Sequence, residues 1–226
     1  MLRYNAFNLI HKALRALMYD VALTLQQTDF TNAEEAEIAL ARVEEVMYHF
    51  ENHAHHEDNF VFVAIENAAP ELVESLEQEH VEDIELGNRL VQLVRMMKSL
   101  ENNMERVNCG SAINKAFRDF MVFNIRHMSR EESEINAVLW QEFTDQELIE
   151  LNGKIVANIS PADMAFNSRW FMRSINKTEA IMWLKAVKAT APPFVFDQLI
   201  QLAETELPER MRAEVIDAVM ENELVY

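Results

Sequence analysis

The chain has 226 residues, half of them hydrophobic, with three Gly, five Pro and a formal net charge of −18 at pH 7. That is enough apolar material for one large core, or one core with a smaller satellite, and too few turn formers for a β-rich fold. Acidic residues spread along the whole chain repel phosphate backbones and anionic headgroups, so neither nucleic acid nor a membrane surface is expected as a partner.

The first helix reads from about Arg3 to Gln26, with Phe7, Leu14, Leu17, Met18, Val21 and Leu25 on one stripe and His11 among them. A histidine on an apolar face is ordinarily a satisfied core residue, and it becomes a ligand candidate only if other helices aim ligands at its level. The opening MLRYNAFNLIHKAL has no apolar signal-peptide region, and no run approaches the roughly 18 to 20 apolar residues of a membrane span. A soluble, cytoplasmic protein is expected. The sequence Thr31-Asn32-Ala33-Glu34 is a capping box that starts a second helix, which runs to about Asn67. His53 and Glu57 lie four residues apart on one face of it, near Val46, Phe50, Phe60 and Ala64. His55 and His56 turn roughly 200° and 300° away from His53, which puts one outside and one on a flank. His49, one turn before His53, is an entrance candidate or a flank residue packed on Tyr48.

Pro70 opens a third helix carrying Leu72, Leu76, His80, Ile84, Leu90, Leu93 and Val94. Glu57 precedes Asn67 by as many residues as His80 follows Pro70, about 15 Å of helix in each case, so an antiparallel hairpin sets them at one height. Gly87, on the His80 face, would admit a neighbouring helix closely. Asn and Gly between Leu100 and Ser111 predict a turn, and a fourth helix runs from about Ala112 to Trp140 with Phe120, Phe123, His127, Glu131, Ile135 and Val138 inward. The single cysteine, Cys109, reads as an ordinary thiol in a reducing compartment. The fold class is all-α: an up-down-up-down four-helix bundle over residues 1–142.

Residues 143–226 read as a smaller C-terminal bundle of short helices. Thr144, Ser160 and Asn176 are start signals, Pro192-Pro193 and Pro208 introduce two more helices, and Trp170, Phe171, Trp183, Phe194 and Phe196 supply a core or cover. That aromatic set reads first as packing. A homo-oligomer contact or a protein partner is the second reading. All seven histidines lie at or before residue 127, so this region brings no ligand chemistry of that kind.

The two tetrads, His53 to Glu57 and His127 to Glu131, are matching half-sites. Two imidazoles and two carboxylates in one bundle interior are costly to bury without a cation between them. With His11 and His80 at the same level, the metal-ligand candidates are His11, His53, Glu57, His80, His127 and Glu131. Imidazole with carboxylate suits iron, manganese or zinc, and the lack of thiolates argues against a structural zinc site. No catalytic acid–base pair is evident outside this set.

The order His, His-x3-Glu, His, His-x3-Glu on successive helices resembles the hemerythrin-like, HHE cation-binding proteins, over about residues 1–142. The resemblance implies a centre of two non-haem iron ions, bridged by Glu57 and Glu131, with the four histidines as terminal ligands. Oxygen-carrying members place a second histidine one turn from that of the third helix, where this chain has Leu76 and Ile84. The resemblance therefore implies binding of O2, nitric oxide or peroxide for sensing or detoxification rather than oxygen transport. Metal storage, or a metal-stabilised helical interaction module without redox function, is the alternative from a different class.

Overall fold

In the computed structural model residues 3–221 are described; residues 1–2 and 222–226, which the two expected domains include, lie outside the described residues. Every regular element among the described residues is helical. The helices are α1 (Asn8–Gln27), α2 (Ala33–His56), α3 (Phe62–Ile65), α4 (Pro70–Lys98), α5 (Asn103–Arg130), α6 (Asn136–Glu142), α7 (Asp145–Ala157), α8 (Pro161–Ser174), α9 (Lys177–Thr190), α10 (Pro193–Glu206) and α11 (Glu209–Met220). Two π-helical turns, Glu57–Val61 and Glu131–Ile135, join α2 to α3 and α5 to α6 without a break. No helix among the described residues is long and apolar enough to cross a membrane.

The chain forms two compact units, one of residues up to Asn8 with Leu17–Asn158, the other of Leu9–Ala16 with the residues from Ile159 onward. In the first, successive long helices run in alternating directions. Arg42 on α2 pairs with Asp20 on α1 at 2.7 Å, Lys98 at the end of α4 pairs with Glu44 in the middle of α2 at 2.6 Å while His80 nearer the start of α4 meets Glu57 just past the end of α2, and Cys109 early in α5 donates to the Leu93 carbonyl late in α4 at 3.5 Å. The α1 stripe is buried as its periodicity requires, from Phe7 through Leu14, Leu17, Met18 and Val21 to Leu25.

Four local expectations are corrected. Arg3 to Phe7 precede the first helix: Arg3 donates to Asp145 and to the carbonyls of Trp140 and Phe143, which ties the start of this segment to the α6–α7 junction. The cap of α2 is Asn32, whose side chain accepts from Glu34 and Glu35 N–H, because Thr31 is engaged by Asp29. The turn after α4 is short. Asn102 caps α5, so most of the stretch expected as a turn is helix, and Gly110 sits inside it under Phe30, where a Cβ would come 2.2 Å from the ring. Gly87, by contrast, would meet only Met47 Sδ at 3.4 Å. Ile84 is 59% exposed, because the inward stripe of α4 follows alternating steps of three and four: Val73, Leu76, His80, Asp83, Gly87, Leu90, Val94 and Met97.

The first unit runs through α7 to Asn158, one helix past the boundary expected at residue 142. Leu148 on α7 is buried, with Leu151 and Ile155 partly so, in a cluster with Phe7, Val61, Phe62, Ile65, Leu76, Ile135 and Leu139 that closes one end of the bundle. The second unit has its own core of Met172, Ile175, Leu184, Leu207, Val215 and Val219. Its start signals at Ser160 and Asn176, like Thr144 before α7, all cap helices. Trp170 and Phe196 are buried and Phe171 stands edge-on to Trp183 at 5.3 Å, but Phe194 is 63% exposed and belongs to no core.

Candidate metal centre

Each His-x3-Glu tetrad ends an α-helix on the first residue of a π-turn. His53 Nε2 lies 3.1 Å from Glu57 Oε1, and His127 Nε2 lies 3.2 Å from Glu131 Oε1. Glu57 and Glu131 are only 3% and 0% exposed, a burial that carboxylates do not adopt without compensating cations or donors. The helix-height argument for His80 holds: its Nε2 is 3.6 Å from Glu57 Oε2, 4.0 Å from Glu131 Oε1 and 3.1 Å from His127 Nε2.

Ligand atoms of Glu57, His80, His127 and Glu131 all lie within 4.8 Å of one another. Those of His11, His53, Glu57 and Glu131 satisfy the same condition. All six sequence candidates therefore fall into two overlapping groups. The other histidines do not. His55 is exposed and its Nδ1 accepts from Asn59 Nδ2, and His56 leans on Phe60, in keeping with their turn around the helix. His49 is buried edge-on against Tyr48, the flank placement.

Two carboxylates aim the imidazoles. Asp58 Oδ1 is 2.7 Å from His80 Nδ1, and Glu79 Oε2 is 2.7 Å from His127 Nδ1. A Nδ1–H donated to each carboxylate leaves the Nε2 lone pair facing the centre, the tautomer a metal ligand needs. Glu79 is itself held by Arg130, which also contacts Ser75 Oγ at 3.0 Å and Glu134 at 2.8 Å. Flat contacts restrict the rings further: Phe62 stacks on His80 at 5.2 Å and Phe123 on His127 at 6.0 Å.

Electrostatics follow this arrangement. Burial opposes charge on His80, but hydrogen bonds to Asp58 and Glu57 and the charge of both prevail and push it up to about 10. Burial likewise opposes charge on His127, and Glu131, Glu57 and Glu79 together raise it to about 9. Burial would raise Glu79, yet His127 and Arg130 hold it below the usual carboxylate range. So the pocket favours positive charge, and a metal cation competes with protons for the same lone pairs.

Asp58, Glu79, Asp83 and Asn124 were not among the sequence candidates. Asp58 and Glu79 neighbour ligands in sequence but serve histidines on other helices, a pairing that spacing within one helix does not reveal. Asp83 and Asn124 did leave a signal, as polar residues on the inward stripes of α4 and α5. They hydrogen-bond to each other, Asn124 Nδ2 to Asp83 Oδ1, at 2.5 Å. Both line a small cavity with Phe50, His53, Ala54, Glu57, His80, His127 and Met128, which has room for about one water-sized ligand.

No curated protein and no solved structure matches the chain. The family model described as hemerythrin HHE cation binding domain matches residues 3–139, which spans both tetrads, His11 and His80. By that match over more than half its length, the chain belongs to the hemerythrin HHE cation-binding family.

Proposed function

We propose that His11, His53, Glu57, His80, His127 and Glu131 hold two non-haem iron ions, and that the protein binds O2, nitric oxide or peroxide at an open iron position. The role would be sensing or detoxification of oxidative or nitrosative stress in the cytoplasm. One observation carries the reading: Glu57 and Glu131 belong to both four-residue groups, so each carboxylate can lend one oxygen to either ion. The donor set fits such ions. It offers neutral imidazole and carboxylate without thiolate, which suits iron and equally admits manganese or zinc.

Bound iron would supply redox electrons and a coordination position for the small ligand. The chain's residues do the rest. Asp58 and Glu79 fix two histidine tautomers, Phe62 and Phe123 hold the ring planes, and the bundle excludes bulk water from the carboxylates. Six side chains shared by two ions leave positions open, and the adjoining cavity has room for about one water-sized ligand.

Metal analysis with visible spectra of the aerobic and dithionite-treated protein tests this. Two irons per chain, with a charge-transfer band that changes on reduction and on exposure to nitric oxide, are expected. A colourless protein that retains zinc through both treatments would sink the redox reading. Glu57→Ala should lose at least one ion, and unchanged stoichiometry would show the ligand set to be wrong.

A further inference from the structure

The cavity beside the ligand cluster has one ionisable side chain outside the proposed ligand set, Asp83. Its ligand atoms fall in neither metal-ligand group, so it is set back from the ions it would face. It is also an unusual residue for its place. Asp83 sits on the inward stripe of α4, three residues after His80, on a face whose other residues apart from His80 and Gly87 are Leu, Val and Met, and burial raises its carboxyl above the ordinary value. Asn124, 2% exposed on α5, spends its side-chain N–H groups on Asp83 Oδ1 at 2.5 Å and on the Phe120 carbonyl at 3.2 Å. That clamp fixes the carboxyl against rotation and commits Oδ1. The remaining walls are Phe50, Ala54, Met128 and the ligating side chains themselves.

We propose that Asp83 is the specificity-determining residue of the ligand pocket, its Oδ2 accepting a hydrogen bond from a small oxygen ligand that carries a hydrogen, such as hydroperoxide or water, in preference to nitric oxide. This rests on the di-iron reading above. The ionised carboxylate only accepts, so its Oδ2 takes a hydrogen bond from a ligand O–H and offers none in return. Nitric oxide has no hydrogen to donate and gains nothing from the contact. Where water is excluded, one such bond is worth on the order of a tenfold change in affinity.

The test is Asp83→Asn, nearly the same in shape. With its own oxygen held by Asn124, the new amide presents NH2 to the cavity, a donor in place of an acceptor. Wild-type and variant proteins are loaded with iron and assayed for metal content. They are then titrated with hydrogen peroxide in the oxidised form by stopped-flow absorbance, and with nitric oxide in the reduced form. Expected are two irons in both proteins, peroxide binding about tenfold weaker in the variant, and nitric oxide affinity within about twofold. Loss of iron in the variant alone would overturn the proposal by making Asp83 a ligand. Equal weakening of both probes, or no change in either, would overturn it by making the pair a packing feature. Iron-free wild-type protein would instead defeat the di-iron reading on which the proposal stands.

Discussion

Glu79→Gln is the sharpest probe of how the centre is supported, because the side chain touches no proposed metal ion and yet should control affinity. Glu79 Oε2 lies 2.7 Å from His127 Nδ1, while its other oxygen accepts from Arg130. Both partners are donors. The amide has one oxygen and one NH2, so whichever way it turns, one former hydrogen bond becomes a donor facing a donor. If the amide oxygen stays on His127 the imidazole still loses the negative charge that raises its basicity, and if the NH2 turns there it loses its orienting acceptor, while Arg130 keeps Glu134 at 2.8 Å and Ser75 at 3.0 Å. Loss of a carboxylate behind a ligating histidine weakens metal binding about 10- to 100-fold, which is about 1.4 to 2.7 kcal/mol. Only the ion bound through His127 should be affected. Anaerobic competition against a chromophoric chelator, with ferrous iron added stepwise, should therefore show one of two dissociation constants raised and the final stoichiometry still two. Glu134→Gln, altering a side chain 44% exposed that serves only the far side of Arg130, is the control. Unchanged constants in Glu79→Gln, or an equal loss in Glu134→Gln, would refute the idea that this carboxylate aims His127.

Four further outcomes follow from the structure. Glu131→Gln, which alters a carboxylate common to both groups, should reduce bound metal more than His80→Ala, which removes a ligand of one, while His55→Ala should leave the content intact; equal losses in the first two would contradict the shared-carboxylate arrangement. In the metal-free protein His80 and His127 sit at about 10 and about 9, so metal uptake near pH 7 should release protons and tighten as pH rises; calorimetry in buffers of different ionisation enthalpy reads the number released. Because both values are raised above about 6.5, the histidines stabilise the metal-free fold fully below that pH, and the contribution disappears as pH climbs through 9 to 10, so its melting temperature should fall across that window. Gly110→Ala, whose Cβ would lie 2.2 Å from the buried Phe30 ring, should lower the melting temperature by about 2 to 6 °C, whereas Gly87→Ala, facing only the flexible Met47 thioether at 3.4 Å inside α4, should raise it slightly through the better helix propensity of Ala.

The helical architecture and the six clustered side chains were legible because both depend on short-range periodicity. His11 stood out only once other ligands shared its level, and the level of His80 followed from counting residues to a common turn. What periodicity could not supply was the partner of each imidazole Nδ1. Asp58 and Glu79 are ordinary surface carboxylates by sequence, and only the packing of α2, α4 and α5 shows which histidine each one meets. Ile84 departs from expectation for a different reason: it is apolar but falls outside the three-four rhythm of α4, which puts Asp83 inward. A polar Asp83 on that inward stripe marks the cavity it lines.

The same reasoning explains why the burial pattern slips after each tetrad. An α-helix continuing from Glu57 would have kept Phe60 and Ala64 inward, yet the buried residues are Val61, Phe62 and Ile65. After Glu131 the buried residues are Ile135, Asn136 and Leu139, at the same offsets of four, five and eight. Each slip is one residue, and each has one cause. Phe62 N–H reaches back to the Glu57 carbonyl and Asn136 N–H to the Glu131 carbonyl, five residues in both cases, so a π-turn inserts an extra residue. Such turns are rare, appear mostly as single turns inside α-helices, and are frequent at functional sites. Here the requirement is visible. α2 and α5 each run antiparallel to α4 and hence in the same direction as each other, so matching turns deliver their glutamates to the centre from two sides at one height. Below that level the shifted register lets Val61, Phe62, Ile65, Ile135 and Leu139 close the end of the bundle as one apolar cluster. The two-fold repeat first seen as His-x3-Glu is thus also a repeat of backbone conformation. It is this repeat that lets two buried carboxylates face one another without disturbing the core that seals them from water.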